Sequence, residues 1–239
     1  MDLDQQIAVV MGGTSGIGLA TAQLLTQHGA KVVITGRDRA KLDAALSSID
    51  GSKSGEIVDA TSADALASFF TKLGEFDHLI LCVSGAEGAG SFASLDPKLL
   101  RQAFDAKFWA HFVAAQAALP TISKSGSITF VTAASARTCL SKTAGLAAIN
   151  GAIESMILPL ANELRPLRVN AVSPGVIETA WWGNIPQEQR QAMFAQSAAA
   201  LPVGRIGRAT DVAEAIVFLV RNGFMTGTVI ECDGGLRIR

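Results

Sequence analysis

The sequence predicts an α/β fold: one doubly wound parallel sheet of about seven strands flanked by helices, in a single domain over residues 1–239. Three observations predict it. Short β-branched runs alternate with longer helical patterns from end to end, the order that βαβ units produce. Several runs are apolar on both faces, as strands buried in a parallel sheet must be. A glycine-rich turn follows the first run and opens the first helical pattern, which makes the architecture Rossmann-like.

Strands are expected over 7–11, 31–35, 55–58, 78–83, 127–132, 168–172 and 228–231, with helices near 17–28, 39–48, 62–72, 97–118, 143–164, 187–199 and 210–221. The first strand, Ile7-Ala8-Val9-Val10-Met11, is an unbroken apolar run. The first helix ends before Gly29, the residue type that closes helices in a left-handed conformation. Asp96-Pro97 opens the fourth helix, with an acceptor at the cap and a proline at the first turn. Pro159 lies inside the 143–164 pattern, where its missing N–H predicts a kink. No repeat, low-complexity tract or linker divides the chain, and short right-handed crossovers join its elements.

Composition narrows the function classes. The chain is 49% hydrophobic and 17% charged, a globular balance, and its formal net charge of -1 argues against nucleic-acid or membrane-surface partners. Cys82, Cys139 and Cys232 are odd in number and match no metal spacing, so no metal is expected and a reducing compartment is the simplest reading. The opening MDLDQQIAVVMGG has neither a basic n-region nor a long apolar core. No apolar stretch of about 18 residues stands out, so no membrane span is expected and the location is read as cytoplasmic.

The turn after the first strand reads Gly12-Gly13-Thr14-Ser15-Gly16-Ile17-Gly18. Residues without Cβ let the backbone approach a pyrophosphate, and the following helix offers free N–H groups and its positive dipole end. At the end of the second strand, Gly36 stands where an acidic residue would bind a ribose 2′-hydroxyl. Arg37 follows, and its fork of donors suits a 2′-phosphate. This favours NADP(H) over NAD(H).

These residues resemble the short-chain dehydrogenase/reductase family over nearly the whole chain. The Gly12…Gly16…Gly18 spacing matches the family's glycine motif, with Met11 where Thr is usual. Arg168-Val169-Asn170-Ala171-Val172-Ser173-Pro174-Gly175 is similar to its strand-six signature. Gly204-Arg205-Ile206-Gly207, Asp211-Val212-Ala213, Thr226-Gly227 and Asp233-Gly234-Gly235 fit its C-terminal part. The resemblance implies cofactor contacts from Gly12, Thr14, Ser15, Gly16, Ile17, Gly18, Arg37, Asp59, Ala60, Val83, Ser84, Pro174, Gly175 and Ile177. It also implies that Thr179 holds the nicotinamide carboxamide.

The family moves a hydride between nicotinamide C4 and a carbonyl or alcohol carbon. A Tyr hydroxyl handles the oxygen's proton, a Lys four residues later lowers that hydroxyl's pKa, a Ser orients the substrate and a helix Asn completes the relay. This chain contains no tyrosine. Aligned on the helix that begins Asn150-Gly151-Ala152-Ile153-Glu154, Leu146 takes the Tyr position and Asn150 the Lys position. Ala133 lies nearest the Ser position, with Ser135 or, less simply, Thr132 a loop shift away. Lys107 takes the Asn position on the fourth helix, so the resemblance implies an exchange of Lys and Asn between two helices. The expected catalytic set is Lys107, Asn150 and Ser135; an equal alternative places Lys107 at a subunit interface or snorkelling to solvent.

Lys142 follows Thr138 at the Tyr–Lys spacing but reads as a loop charge. His111, one turn beyond Lys107, reads as structural, and His28 and His78 have no catalytic partner. Trp181 and Trp182 follow Thr179, where they can wall an apolar pocket or act as a lid. Two functions fit: an NADP(H)-dependent oxidoreductase of small apolar carbonyls or alcohols with a non-standard site, and a catalytically inactive NADP(H) sensor or scaffold. The 143–164 helix, rich in Ala, Ile and Leu, implies a homodimer or homotetramer by the same resemblance.

Overall fold

The computed structural model describes residues 3–85 and 87–238. A seven-stranded parallel sheet contains β1 (Ile7–Met11), β2 (Lys31–Gly36), β3 (Lys53–Ile57), β4 (Phe76–Leu81), β5 (Ile122–Val131), β6 (Arg168–Pro174) and a C-terminal strand, β9 (Val229–Cys232). Their order is β3-β2-β1-β4-β5-β6-β9. Two short strands, β7 (Ile177–Glu178) and β8 (Gly207–Arg208), pair apart from it. The helices are α1 (Gly16–Gln27), α2 (Arg39–Ser48), α3 (Ala63–Leu73), α4 (Pro97–Phe104), α5 (Ala110–Ala118), α6 (Ala144–Glu163), α7 (Gln187–Ala200) and α8 (Ala209–Arg221).

The period-two rule explains the layers. Val9, Met11, Leu79, Leu81, Ile128 and Phe130 face one side, where Leu66, Phe70, Ala114, Ile153 and Ile157 cover them. Ala8, Val10, Val32, Ile34 and Ile80 face the other, under Ala22, Leu25, Leu42, Val212 and Ile216. Alternate residues of one strand thus belong to opposite cores, which is why the strands read as continuous apolar runs.

The strand order reverses between β1, which leads outward to β2 and β3, and β4, which leads to β5, β6 and β9. Helices leave the sheet in opposite directions there, so a crevice opens beyond the carboxyl ends of the strands.

Local chemistry fixes the ends. Asp96 accepts from the Lys98 N–H, with Pro97 in the first turn of α4. Gly29 has φ +88°, the left-handed closure after α1. The buried Arg168 guanidinium donates to the carbonyls of Leu219, Val220, Asn222 and Met225, at 2.7–3.2 Å. It thereby ties the start of β6 to the carbonyl end of α8.

Two expectations need correction. The single helix expected over 97–118 contains a π turn at Asp105–Trp109 between α4 and α5. Such turns insert a residue into the ladder and leave no sequence signature. Pro159 lies within the helical run of α6. Pro159 and Ser155 both lie on its exposed side, where water can satisfy the carbonyl that the proline leaves without a donor.

The second correction concerns apolar length. An apolar stretch of membrane-spanning size does exist: Ala144–Glu163 has a mean hydropathy of 1.4 over 18 residues. Here that helix is a layer of the fold, with Ile149, Ile153 and Ile157 buried.

Candidate active site

A cleft of about 590 Å³ lies at the reversal point, beyond the carboxyl ends of β1, β2, β4, β5 and β6. Every residue expected to bind cofactor or take part in chemistry lines it, from Gly12 to Thr179 and including Lys107, Ser135, Leu146 and Asn150. The sequence separations are large, and the parallel register brings them together.

At one end the chain turns sharply into α1. Gly12 has φ +78° and Gly16 φ +52°, a region that L side chains rarely adopt. A Cβ at Gly18 would lie 2.2 Å from the Gly12 carbonyl oxygen, so only glycine lets the helix pack on the turn. Ser15 caps α1 without a side-chain hydrogen bond, and the first turn carries no acidic residue. The leading N–H groups of α1 therefore remain available to an anion in the cleft. Beyond them, Thr179 packs against Gly16, where an added Cβ would meet its side chain at 3.3 Å.

The β2 end adds a constraint absent from the sequence reading. A Cβ at Gly36 would lie 2.5 Å from Thr14 Cγ2, so an acidic side chain there would have to displace the Thr14 side chain of the phosphate turn. Arg37 lines the cleft and is exposed. Lys41, one helical turn on, lines it too and escaped notice in the sequence, where it reads as one of many α2 surface charges. Asp59 Oδ1 accepts from the Thr61 N–H at 2.9 Å and the Thr61 hydroxyl at 2.8 Å. Those two bonds, with help from the Arg37 charge, hold its carboxyl below the usual range.

At the other end the side chains are mostly apolar: Ala103, Leu140, Leu146, Ile149, Trp181 and Trp182. Three polar groups interrupt them. Asn150 Nδ2 donates to Ser135 Oγ at 3.1 Å and to the Leu146 carbonyl at 2.9 Å. Ser135 accepts that bond and keeps its own proton to donate. Asn150 Oδ1 is buried with no partner, an acceptor that a hydroxyl entering the cleft would satisfy. Lys107, on the π turn, donates from Nζ to the Thr132 carbonyl at 3.1 Å. Burial pushes its ammonium down to about 8, against the opposing pull of Cys82 and Glu154.

Other candidates fall outside this group. Thr132 also lines the cleft, but its hydroxyl is engaged by Glu154 (2.8 Å) and the Val172 carbonyl (3.3 Å). Lys142 is exposed and does not line the cleft. His111 Nε2 lies 2.9 Å from the Val83 carbonyl, and burial pushes its ring down to about 3. His78 is held between Ser127 Oγ and Gln6 Oε1, each at 2.9 Å, and burial pushes it down to about 4. Both are neutral structural groups at physiological pH. Trp181 donates its indole N–H to the Gly85 carbonyl at 2.9 Å and meets Trp182 edge to face at 4.6 Å. Together they wall the cleft on the η4 side (Ala180–Asn184).

A family model described as enoyl-(acyl carrier protein) reductase matches residues 12–237. The short-chain dehydrogenase/reductase ATR9 of Stachybotrys chlorohalonatus is 31% identical over 250 residues, covering 96% of each chain. The cis-4-hydroxycyclohexanecarboxylate dehydrogenase of Sinomonas cyclohexanicum is also 31% identical, covering 97% of this chain and 96% of its own length. Among solved structures, a small-chain dehydrogenase in complex with NADPH superposes with a TM-score of 0.87 at 34% identity. That match covers 99% of this chain and 100% of the other. The chain belongs to the short-chain dehydrogenase/reductase family of oxidoreductases.

Proposed function

We propose that this protein is an NADP(H)-dependent oxidoreductase of small, mostly apolar carbonyl or alcohol substrates, with Lys107 in the proton-transfer role that the family gives to Tyr. The carrying observation is Lys107 itself: a half-buried ammonium pushed down to about 8 that lines the same cleft as Ser135 and Asn150.

A nicotinamide dinucleotide fits the residues present. The uncapped N-terminus of α1 and the glycine cradle at Gly12, Gly16 and Gly18 suit its pyrophosphate. Asp59 and Ala60 would border the adenine, and Val83, Ser84, Pro174, Gly175, Ile177 and Thr179 the nicotinamide half. Asn150 Oδ1, with no partner of its own, suits a ribose hydroxyl. The bound cofactor would supply or accept the hydride. NADP(H) is favoured because Arg37 and Lys41 line the same end of the cleft, and because a carboxylate at position 36 would have to displace the Thr14 side chain.

In the reduction direction, the Lys107 ammonium donates a proton to the substrate oxygen as the carbonyl is reduced, while the Ser135 hydroxyl orients that oxygen. A donor with a pKa near 8 is mostly protonated at neutral pH yet releases its proton readily, the compromise that general acid catalysis needs. In the oxidation direction, the neutral amine takes the proton back. Leu146, in the seat usually held by Tyr, adds only apolar wall. Leu140, Ile149, Trp181 and Trp182 extend that wall, which favours uncharged substrates. Leu146 also supports the second reading, a sensor or scaffold that binds NADP(H) without turnover.

Assembly is proposed through the outer face of α6. Ala148, Gly151, Ser155 and Leu158 recur there at helical spacing. Leu158 is 70% exposed, and a Cβ at Gly151 would meet nothing within 4 Å. Small residues at that spacing let a second helix approach closely. The occupant is a second copy of the chain, as a dimer or half of a tetramer. No nucleic-acid, membrane or metal partner belongs to this reading.

Four outcomes are expected. Arg37→Ser weakens NADPH binding at least tenfold while changing NADH binding less than threefold, by fluorescence titration; equal losses would remove the 2′-phosphate role. Lys107→Met lowers kcat at least 100-fold in an NADPH turnover screen of aldehydes, ketones and quinones, with cofactor affinity retained. In folding, an ammonium lowered from 10.5 to about 8 costs stability below pH 8 and nothing above about 10.5. The same variant therefore gains about 1–3 kcal/mol at pH 7 in denaturant unfolding, less the lost bond to Thr132. Full turnover in Lys107→Met would refute the catalytic role, and cofactor binding with no turnover in the wild type would favour the sensor. Leu158→Glu shifts the sedimentation coefficient to that of a smaller species; an unchanged coefficient would place the interface elsewhere.

A further inference from the structure

Lys107 is connected to α6, which packs on the same face of the sheet, through one residue at the end of β5. Thr132, just past the strand, accepts Lys107 Nζ at its backbone carbonyl (3.1 Å) and donates its hydroxyl to Glu154 Oε1 (2.8 Å). Its N–H donates to the Val172 carbonyl at 2.9 Å, so the sheet holds it in place. The Glu154 side chain, on α6, is only 8% exposed, and its second oxygen accepts from Arg137 Nε at 2.7 Å. Arg137 also donates to Glu231 Oε1 at 3.0 Å, and the other oxygen of Glu231 pairs with Arg237. Charges of alternating sign thus run from the cleft floor through α6 to β9 and the C-terminal turn.

We propose that Glu154 is a positioning residue that keeps Lys107 charged from the neighbouring helix α6, and that Arg137 sets how strongly it does so. The inference rests on Lys107 being the site's proton donor for its bearing on turnover, but the electrostatic coupling stands apart from that reading.

The surroundings single out Glu154. Among the described residues, the titratable groups facing Lys107 from other elements are Cys82 at the end of β4, His111 on α5 and Glu154 on α6. Asp105, on Lys107's own π turn, is exposed to water. Burial pushes the Cys82 thiol up to about 12 and the His111 ring down to about 3, so both are neutral at physiological pH. That leaves Glu154 as the buried anion opposing Lys107's desolvation. An anion buried in a low-dielectric interior acts at longer range than one in water. Arg137, on the outer side of Glu154, offsets part of that anion's field.

The two partners therefore act with opposite signs. Replacing Glu154 by its neutral isostere removes the charge that retains the proton, and Lys107 releases it at lower pH. Replacing Arg137 leaves Glu154 less neutralised, and Lys107 releases its proton at higher pH. A merely structural network would lower stability in both variants without moving Lys107 in opposed directions.

The test follows the Lys107 ¹³Cε and ¹⁵Nζ shifts from pH 6 to 10.5 in lysine-labelled full-length protein, assigned with Lys107→Arg. Glu154→Gln keeps an oxygen to accept from Thr132 and is expected to lower the proton affinity of Lys107 about threefold to tenfold. Arg137→Gln is expected to raise it about twofold to threefold. If Glu154→Gln fails to fold, the direction seen in Arg137→Gln decides alone. Midpoints that stay fixed, or that move in the same direction, overturn the proposal. The signal is independent of substrate, so a Lys107 without a catalytic role would still show the coupling.

Discussion

The site depends on a parallel sheet whose strand order reverses between β1 and β4. Side chains from Gly12 to Thr179 meet there because five strands end at one level, and because α1 and α6 approach from opposite faces. The approach is tight: any side chain at position 18 would strike the Gly12 carbonyl, and any at position 36 would strike Thr14. Cofactor recognition is thus built from backbone, with few side chains, and has little freedom to change. The chemistry at the other end rests on side chains and is free to differ.

That freedom accounts for an apolar chamber with one lysine in it. Burying an ammonium is unfavourable, and Lys107 receives only a backbone carbonyl and a distant carboxylate in return. A position selected for stability alone would hold an apolar residue. The π turn that carries Lys107 has the same character, since π turns persist where geometry at a site outweighs regular hydrogen bonding. Ser135 and Asn150 satisfy each other in part and leave one donor and one acceptor over, a pattern suited to a bound hydroxyl or carbonyl.

Much of this was legible in the sequence. Unbroken apolar strands and a glycine turn at the first strand–helix junction fix the sheet's layout and the phosphate end of the cleft, because they follow from local sterics and period-two burial. The proposed Lys–Asn exchange rests only on register against the family helix. What stayed hidden depends on distant contacts. Arg168 reads as a strand-start charge, and only the fold reveals four carbonyls around it. Lys41, the Thr14–Gly36 contact and the π turn have no periodicity to announce them. Glu154 sits on α6 like any surface acid, and its burial appears only when Thr132 and Arg137 close over it. The length of apolar sequence in α6 was misjudged because its Gly, Ser and Asn residues interrupt what still averages as an apolar helix.

The central claim, that a lysine serves as the acid in place of tyrosine, is tested most directly by the pH dependence of kcat/KM for carbonyl reduction by the wild-type protein with NADPH. With Lys107 as donor, the rate is level at neutral pH. It then falls tenfold per pH unit above an apparent pKa near 8, as the ammonium is lost. A rate that stays level through pH 10 would contradict it.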